Sequence, residues 1–167
     1  MKAITLEQLK ALFSTAQFRS LSMFGALSEP CIEFLLQHGE IGATDSDEQL
    51  FSQGEPSEDF YIILSGQLGY YRHNGIERVY LRSYRPGEQL GFASMIGLHE
   101  RRGDAMVESS GYVLKVPCEL FHEVCQRYPD DFVIFLINMT REMSREIIDL
   151  DSICANLRTQ VNKLSNV

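Results

Sequence analysis

At 167 residues the chain has the length of one compact domain with appendages, enough to bury a single core. Its 44% hydrophobic and 23% charged residues exclude a disordered chain, and a formal net charge of -8 argues against nucleic acid as a partner of this chain, because phosphate backbones are held by surplus Lys and Arg. No basic segment leads into an apolar run at the N-terminus, and the longest apolar run, 132–137, falls far short of the ~20 residues that cross a bilayer, so a cytoplasmic location without membrane contact is expected.

Thr5 followed by Gln8 has the form of a capping box, and Leu6, Leu9, Leu12 and Phe13 repeat at helical spacing behind it, which predicts a helix over 5–17. Ser28-Glu29-Pro30 starts a second helix through Ile32, Leu35 and Leu36, closed by Gly39. Residues 1–39 therefore read as a helical segment. From 40 to 117 short apolar runs alternate with turn signals at Ser65-Gly66, His73-Asn74-Gly75 and Arg85-Pro86-Gly87, the texture of a β-sandwich or barrel. Asn74-Gly75 predicts a hairpin.

Residues 118–167 return to helical periodicity. Leu120, Phe121 and Val124 mark a short helix, and Pro129 starts a long one. Val133, Leu136, Thr140, Met143, Ile147, Leu150, Cys154, Leu157, Val161 and Leu164 alternate at three- and four-residue spacing, the seam of a coiled coil, which predicts a homodimer through this helix. With Ile147 at position a and Leu150 at d, Glu146 and Asp151 fall at the flanking g and e positions and are expected to repel mildly. The cysteines Cys31, Cys118, Cys125 and Cys154 lack metal or redox spacing and read as reduced, half-buried thiols.

The candidate ligand site is the stretch Pro86-Gly87-Glu88-Gln89-Leu90-Gly91-Phe92-Ala93-Ser94-Met95 with Arg101-Arg102 downstream. Glycine-rich turns offer free N–H groups to an anion and arginine can clasp it. Gly87, Leu90, Gly91, Phe92, Ala93, Ser94, Arg101, Arg102, Gly103 and Asp104 are the expected binding residues for a small anionic ligand.

Taken in order, Leu21 to Ser28, Leu50 to Glu55, Phe60 to Gly66 and Pro86 to Gly91, followed by the long helix, resemble the cyclic nucleotide-binding domain of catabolite-activator and FNR-type bacterial regulators over residues 20–160. The resemblance implies a mainly β fold with flanking helices: a jelly-roll type β-roll (double-stranded β-helix) with N-terminal helices and a long dimerisation helix. It also implies a non-enzymatic sensor that takes a cyclic nucleotide and signals through its dimer or a separate output protein. In the family a glutamate after the second loop glycine binds the ribose 2′-hydroxyl, and an arginine followed by Ser or Thr and Ala completes the phosphate site. Here Phe92 stands in place of the glutamate and Gly103-Asp104 in place of the last two residues. The ribose hydroxyl is expected to meet an aromatic ring, either Arg101 or Arg102 to reach the phosphate, and Asp104 to repel it; the alternatives are that Phe92 is a core residue and that Arg101 and Arg102 form a solvated turn flanked by Glu100 and Asp104. No winged helix-turn-helix of the family's kind is expected within residues 1–167, so the output is expected to pass through the dimer or a separate protein if the chain is complete, and to lie in a further part if it is a fragment.

Two other readings stay open at this level: a ligand-free scaffold of the same fold, and a cupin-like metalloenzyme. The latter needs clustered metal ligands, whereas His38, His73, His99 and His122 are widely spaced. A haem or gas sensor would draw on His99 or Met95.

Overall fold

The computed structural model describes residues 1–165, with side chains to Leu164. Two short helices open the chain in place of the single one expected. Thr5 and Gln8 cap α1 (Leu6–Leu12) reciprocally, and Ser14 and Gln17 do the same for α2 (Thr15–Ser20), with Phe13 extended between them. The second capping box ties up the N–H groups that a continuous helix would direct to its own carbonyls. A 3-10 turn at Ser22–Phe24 leads into α3 (Glu29–His38), where Ser28 caps and Gly39 closes as expected.

Seven strands follow the order β1-β2-β7-β4-β5, with β3 on β7 and β6 on β4, every pair antiparallel. They are β1 (Lys2–Ala3), β2 (Glu40–Thr44), β3 (Gln49–Phe51), β4 (Asp59–His73), β5 (Arg78–Tyr84), β6 (Gln89–Leu90) and β7 (Asp104–Pro117). The β4–β5 hairpin turns where Asn74-Gly75 predicts it, and Asn74 Oδ1 accepts from the N–H groups of Ile76 and Glu77. Ser65-Gly66 is different: β4 runs straight through it, with register shifts against β7 between Ile63 and Leu68.

That irregularity sets which side chains face where. Before it, Phe60, Ile62 and Leu64 join the cluster under the helices while Tyr61 and Ile63 point into the roll; after it, Leu68 and Tyr70 point into the roll. Strand side chains alternate, so an odd-to-even switch requires an inserted residue. The switch falls in the stretch of register shifts between Ile63 and Leu68 that holds the left-handed Gly66 (φ +81°), where a Cβ would strike the Ser109 carbonyl of β7.

Three helices complete the chain: α4 (Phe92–Ile96), α5 (Cys118–Arg127) and α6 (Pro129–Ser165). Phe135 and Met139 bury α6 against the domain, and Asn138 Nδ2 donates to the carbonyls of Gly25 (2.8 Å) and Met23 (3.3 Å). Every residue from Ile147 to Leu164 is exposed. At 37 residues α6 is about 55 Å long, so its second half projects from the body. No helix among the described residues is long and apolar enough to cross a membrane. The cysteines are not uniformly half-buried: Cys118 and Cys154 are exposed, Cys125 is half-buried, and burial pushes the Cys31 thiol up to about 12.

Candidate functional site

Gly91 ends β6 in a left-handed conformation (φ +99°) and swings the chain into α4. Its lack of a side chain matters twice, because a Cβ would also strike the Arg101 guanidinium packed beneath it. Gln89, buried, accepts from the Phe92 N–H at 3.2 Å and so closes the loop from below. Upstream, the Gly87 carbonyl accepts from Ser22 Oγ (2.6 Å) and from the Met23 N–H (3.1 Å), which anchors the loop to the 3-10 turn.

Between this loop, the roll and α6 lies a cleft of about 320 Å³ lined by Leu90, Gly91, Ala93, Ser94 and Arg102, together with Phe51, Tyr70, Tyr84, Gln89, His99 and Glu146. Half of the expected binding residues therefore meet in one place. Gly87, Phe92, Arg101, Gly103 and Asp104 do not line the cleft.

Phe92 is the largest correction. Its ring is 4% exposed and lies in the core, edge-on to Phe60 (5.4 Å) and Phe121 (5.6 Å). The first turn of α4 sends this side chain inward under the loop, so the Phe92 ring is not among the groups that line the cleft. Asp104 is corrected as well. It is buried, accepts from the Gln53 N–H at 2.8 Å, and pairs with His73 Nε2 and Arg78 Nε, both at 3.3 Å. Its charge is answered on the hairpin side, and it does not line the cleft.

The two arginines divide. Arg101 is 3% exposed: Nη2 is bonded to Asp59, Nη1 reaches the Gly91 carbonyl at 3.4 Å, and the guanidinium stacks on Phe51 at 4.3 Å. It is a strut under the loop. Arg102 is exposed and borders the cleft, so it is the one free to meet an anion. Met95 packs in the core, which leaves His99 alone of the two haem candidates on the cleft. Among the described residues no group of three or more His, Cys, Asp or Glu could hold a metal ion.

Sequence reasoning missed Glu146 as a site residue. It lies beside Tyr84 on the cleft and 3.4 Å from Arg82 Nη1. Burial pushes its carboxyl above the usual carboxylate range, with Arg82 and the Tyr84 hydroxyl pulling the other way. Burial, and secondarily Glu146, likewise pushes the Tyr84 phenol up. Its signal was the spacing Phe135, Met139, Glu142, Glu146, which continues the buried face of α6. Glu146 thus faces its own roll instead of standing free to repel across a seam.

An antiparallel β-roll with a glycine-turned loop over its cleft and a long helix reaching that cleft defines the architecture of the chain. The chain belongs to the cyclic nucleotide-binding domain family, which residues 43–128 match. Among solved structures it is similar to a cyclic nucleotide-binding domain from Methylobacillus flagellatus (TM-score 0.74, 17% identity, covering 84% of each chain). It is also similar to the catabolite activator protein of Thermus thermophilus (TM-score 0.68, 21% identity, covering 82% of this chain and 63% of that one). The c-di-GMP-responsive regulator CLP of Xanthomonas campestris is a third (TM-score 0.71, 17% identity, 78% of this chain and 65% of that one). Curated relatives include lysophospholipase NTE1 of Cryptococcus neoformans, 22% identical over 63% of this chain, and neuropathy target esterase sws of Drosophila persimilis, 30% identical over 51%. The chain spans 6% of the length of either.

Proposed function

We propose that the domain is a non-enzymatic sensor that works as a homodimer and takes a small anionic ligand of the cyclic nucleotide class in the loop–α6 cleft. The observation that carries this reading is that Arg102 of the loop and Glu146 of α6 face one cleft. An occupant would touch both the loop and the helix that bears the coiled-coil seam, and ligand binding would then bias how two such helices pair. The labour divides along the chain: 1–39 anchors the loop, 40–117 forms the cleft and 118–167 carries the signal to a second copy or an output protein. DNA is not a partner of this chain on its own.

The test is a thermal-shift series with cyclic mono- and dinucleotides on the unaltered protein and on Arg102→Ala. A ligand at about 100 times its dissociation constant adds roughly 2.7 kcal/mol, so the melting temperature should rise, and the rise should vanish in the variant. One observation favours a second reading, a ligand-free scaffold: the carboxylate of Glu146 borders the cleft, and the family's ribose-binding glutamate is replaced by Phe92, a core residue. On that reading none of the nucleotides shifts the melting temperature.

A further inference from the structure

We infer that an anion entering the loop–α6 cleft brings a proton from the solvent onto Glu146, so that the domain reads its ligand and the acidity of its surroundings together. The inference rests on the sensor reading above and adds a regulation to that same site.

Two observations about charge carry it. The cleft that offers Arg102 to an anion also presents the carboxylate of Glu146. A sphere of its volume, about 320 Å³, is roughly 8 Å across, and two unit charges at that separation still change an affinity roughly tenfold. The second observation is that Glu146 has only a share in a cation. Arg82 stands between two carboxylates, with Nη1 3.4 Å from Glu146 and Nη2 3.6 Å from Glu88. One guanidinium between them leaves a negative charge in surplus before any ligand arrives.

The other neighbours do not cancel that surplus. On α6 itself, Glu142 is bonded to Arg145, and Asp149 adds a further negative charge on the adjoining groove. From β4 and β5 come Tyr70 and Tyr84, whose phenols stay neutral because burial pushes both up. Arg72 and Arg85 are exposed and line the adjoining groove, not the cleft.

Burial already holds the Glu146 carboxyl above the usual carboxylate range; Glu88 and Glu142 push it the same way, while Arg82 and the Tyr84 hydroxyl oppose them. An anion in the cleft acts with Glu88 and raises the proton affinity further. By linkage, a ligand that raises the proton affinity of Glu146 is itself bound more tightly once the proton is on. Affinity therefore rises as pH falls, by at most ~tenfold per pH unit for one proton. The same step removes the obstacle that the Glu146 carboxylate sets to an anionic occupant.

The experiment is isothermal titration calorimetry of cyclic AMP, cyclic GMP and cyclic di-GMP into the full chain from pH ~5.5 to ~8, in buffers of unlike ionisation enthalpy, which counts the protons taken up. The phosphodiesters stay ionised throughout, so any uptake belongs to the protein. A nucleotide that binds should draw up to about one proton per site, and its affinity should fall as pH rises. In Glu146→Gln the uptake should vanish, and the affinity at pH ~8 should stand roughly tenfold above that of the unaltered chain. His99 is the other proton acceptor on the cleft, and His99→Gln should keep the uptake. Binding without proton uptake, or uptake that persists in Glu146→Gln and vanishes in His99→Gln, overturns the inference while the sensor reading stands. If none of the three nucleotides binds at any pH, the sensor reading fails and this inference fails with it. Carbon-detected NMR of the unaltered chain is independent of both variants: the titration midpoint of the Glu146 carboxyl should move up when the bound nucleotide is added, and a midpoint that stays put overturns the inference as well.

Discussion

Phe92 shows how a substitution read as a change in ligand chemistry turns out to be a change in packing. Because its ring sits against Phe60 and Phe121, restoring a glutamate there would place a carboxylate in the core instead of offering it to a ribose. Phe92→Glu should therefore destabilise the fold by on the order of 3–5 kcal/mol, from lost packing and a buried unpaired charge. Asp104→Ala should cost about 1–3 kcal/mol by orphaning the Gln53 N–H and Arg78. Urea denaturation of each variant checks both; wild-type stability in Phe92→Glu would mean the loop can turn the side chain outward. Glu146 gives a pH signature. A carboxyl whose folded pKa is raised binds its proton more tightly in the native state, so its contribution is fully present below the unfolded pKa and is lost as pH rises through the raised value. Melting temperatures across pH ~4 to ~8 should thus fall less steeply at the alkaline side in Glu146→Gln than in the unaltered protein.

At the scale of elements, the turn at Ser65-Gly66 carries the same lesson. Gly punctuates a turn or a bulge equally well in a sequence, and only the cross-strand neighbours Ser109 to Gly111 of β7 decide for the bulge. Gly66→Ala should cost about 2 kcal/mol, because the backbone is left-handed there and the new methyl meets the Ser109 carbonyl; chemical denaturation reads it directly, and an unchanged midpoint would place the irregularity elsewhere. Features set by neighbours in the chain were legible: the Asn74-Gly75 hairpin, the Ser28 cap and the start of α6 at Pro129. Ser14 and Gln17 form a second capping box of the same local kind, but the single helix expected over 5–17 runs through it, because the apolar spacing of Leu6, Leu9, Leu12 and Phe13 masks the break. What was not legible depends on contacts between distant segments. Neither the inward turn of Phe92 nor the pairing of Arg101 with Asp59 leaves a local trace, and without them Arg101 and Arg102 look interchangeable. The docking of α6, which brings Glu146 to the cleft, follows from a buried face offset by about a quarter turn from the apolar seam, and the seam masks it.

For the whole molecule, the decisive fact is the exposure of α6 beyond Glu146. A helical stretch of this length with nothing packed on it is marginal in water, and Ile147, Leu150, Leu157 and Leu164 are each more than half exposed on it. A second copy would cover them, and the anchoring of α6 by Asn138 to the turn at residues 22–25 holds its first half at a fixed angle to the cleft. Because Ser22 and Met23 of that same turn hold the Gly87 carbonyl, loop and helix share one support. Replacing Leu150 and Leu157 with Asp should leave the roll folded, since neither side chain contributes to its core, yet abolish pairing and fray the projecting half of α6. Light scattering should report a monomer, and hydrogen exchange should report lost protection confined to the second half of α6. Loss of protection throughout the roll would show instead that this half of the helix supports the fold itself and that the seam is part of the protomer.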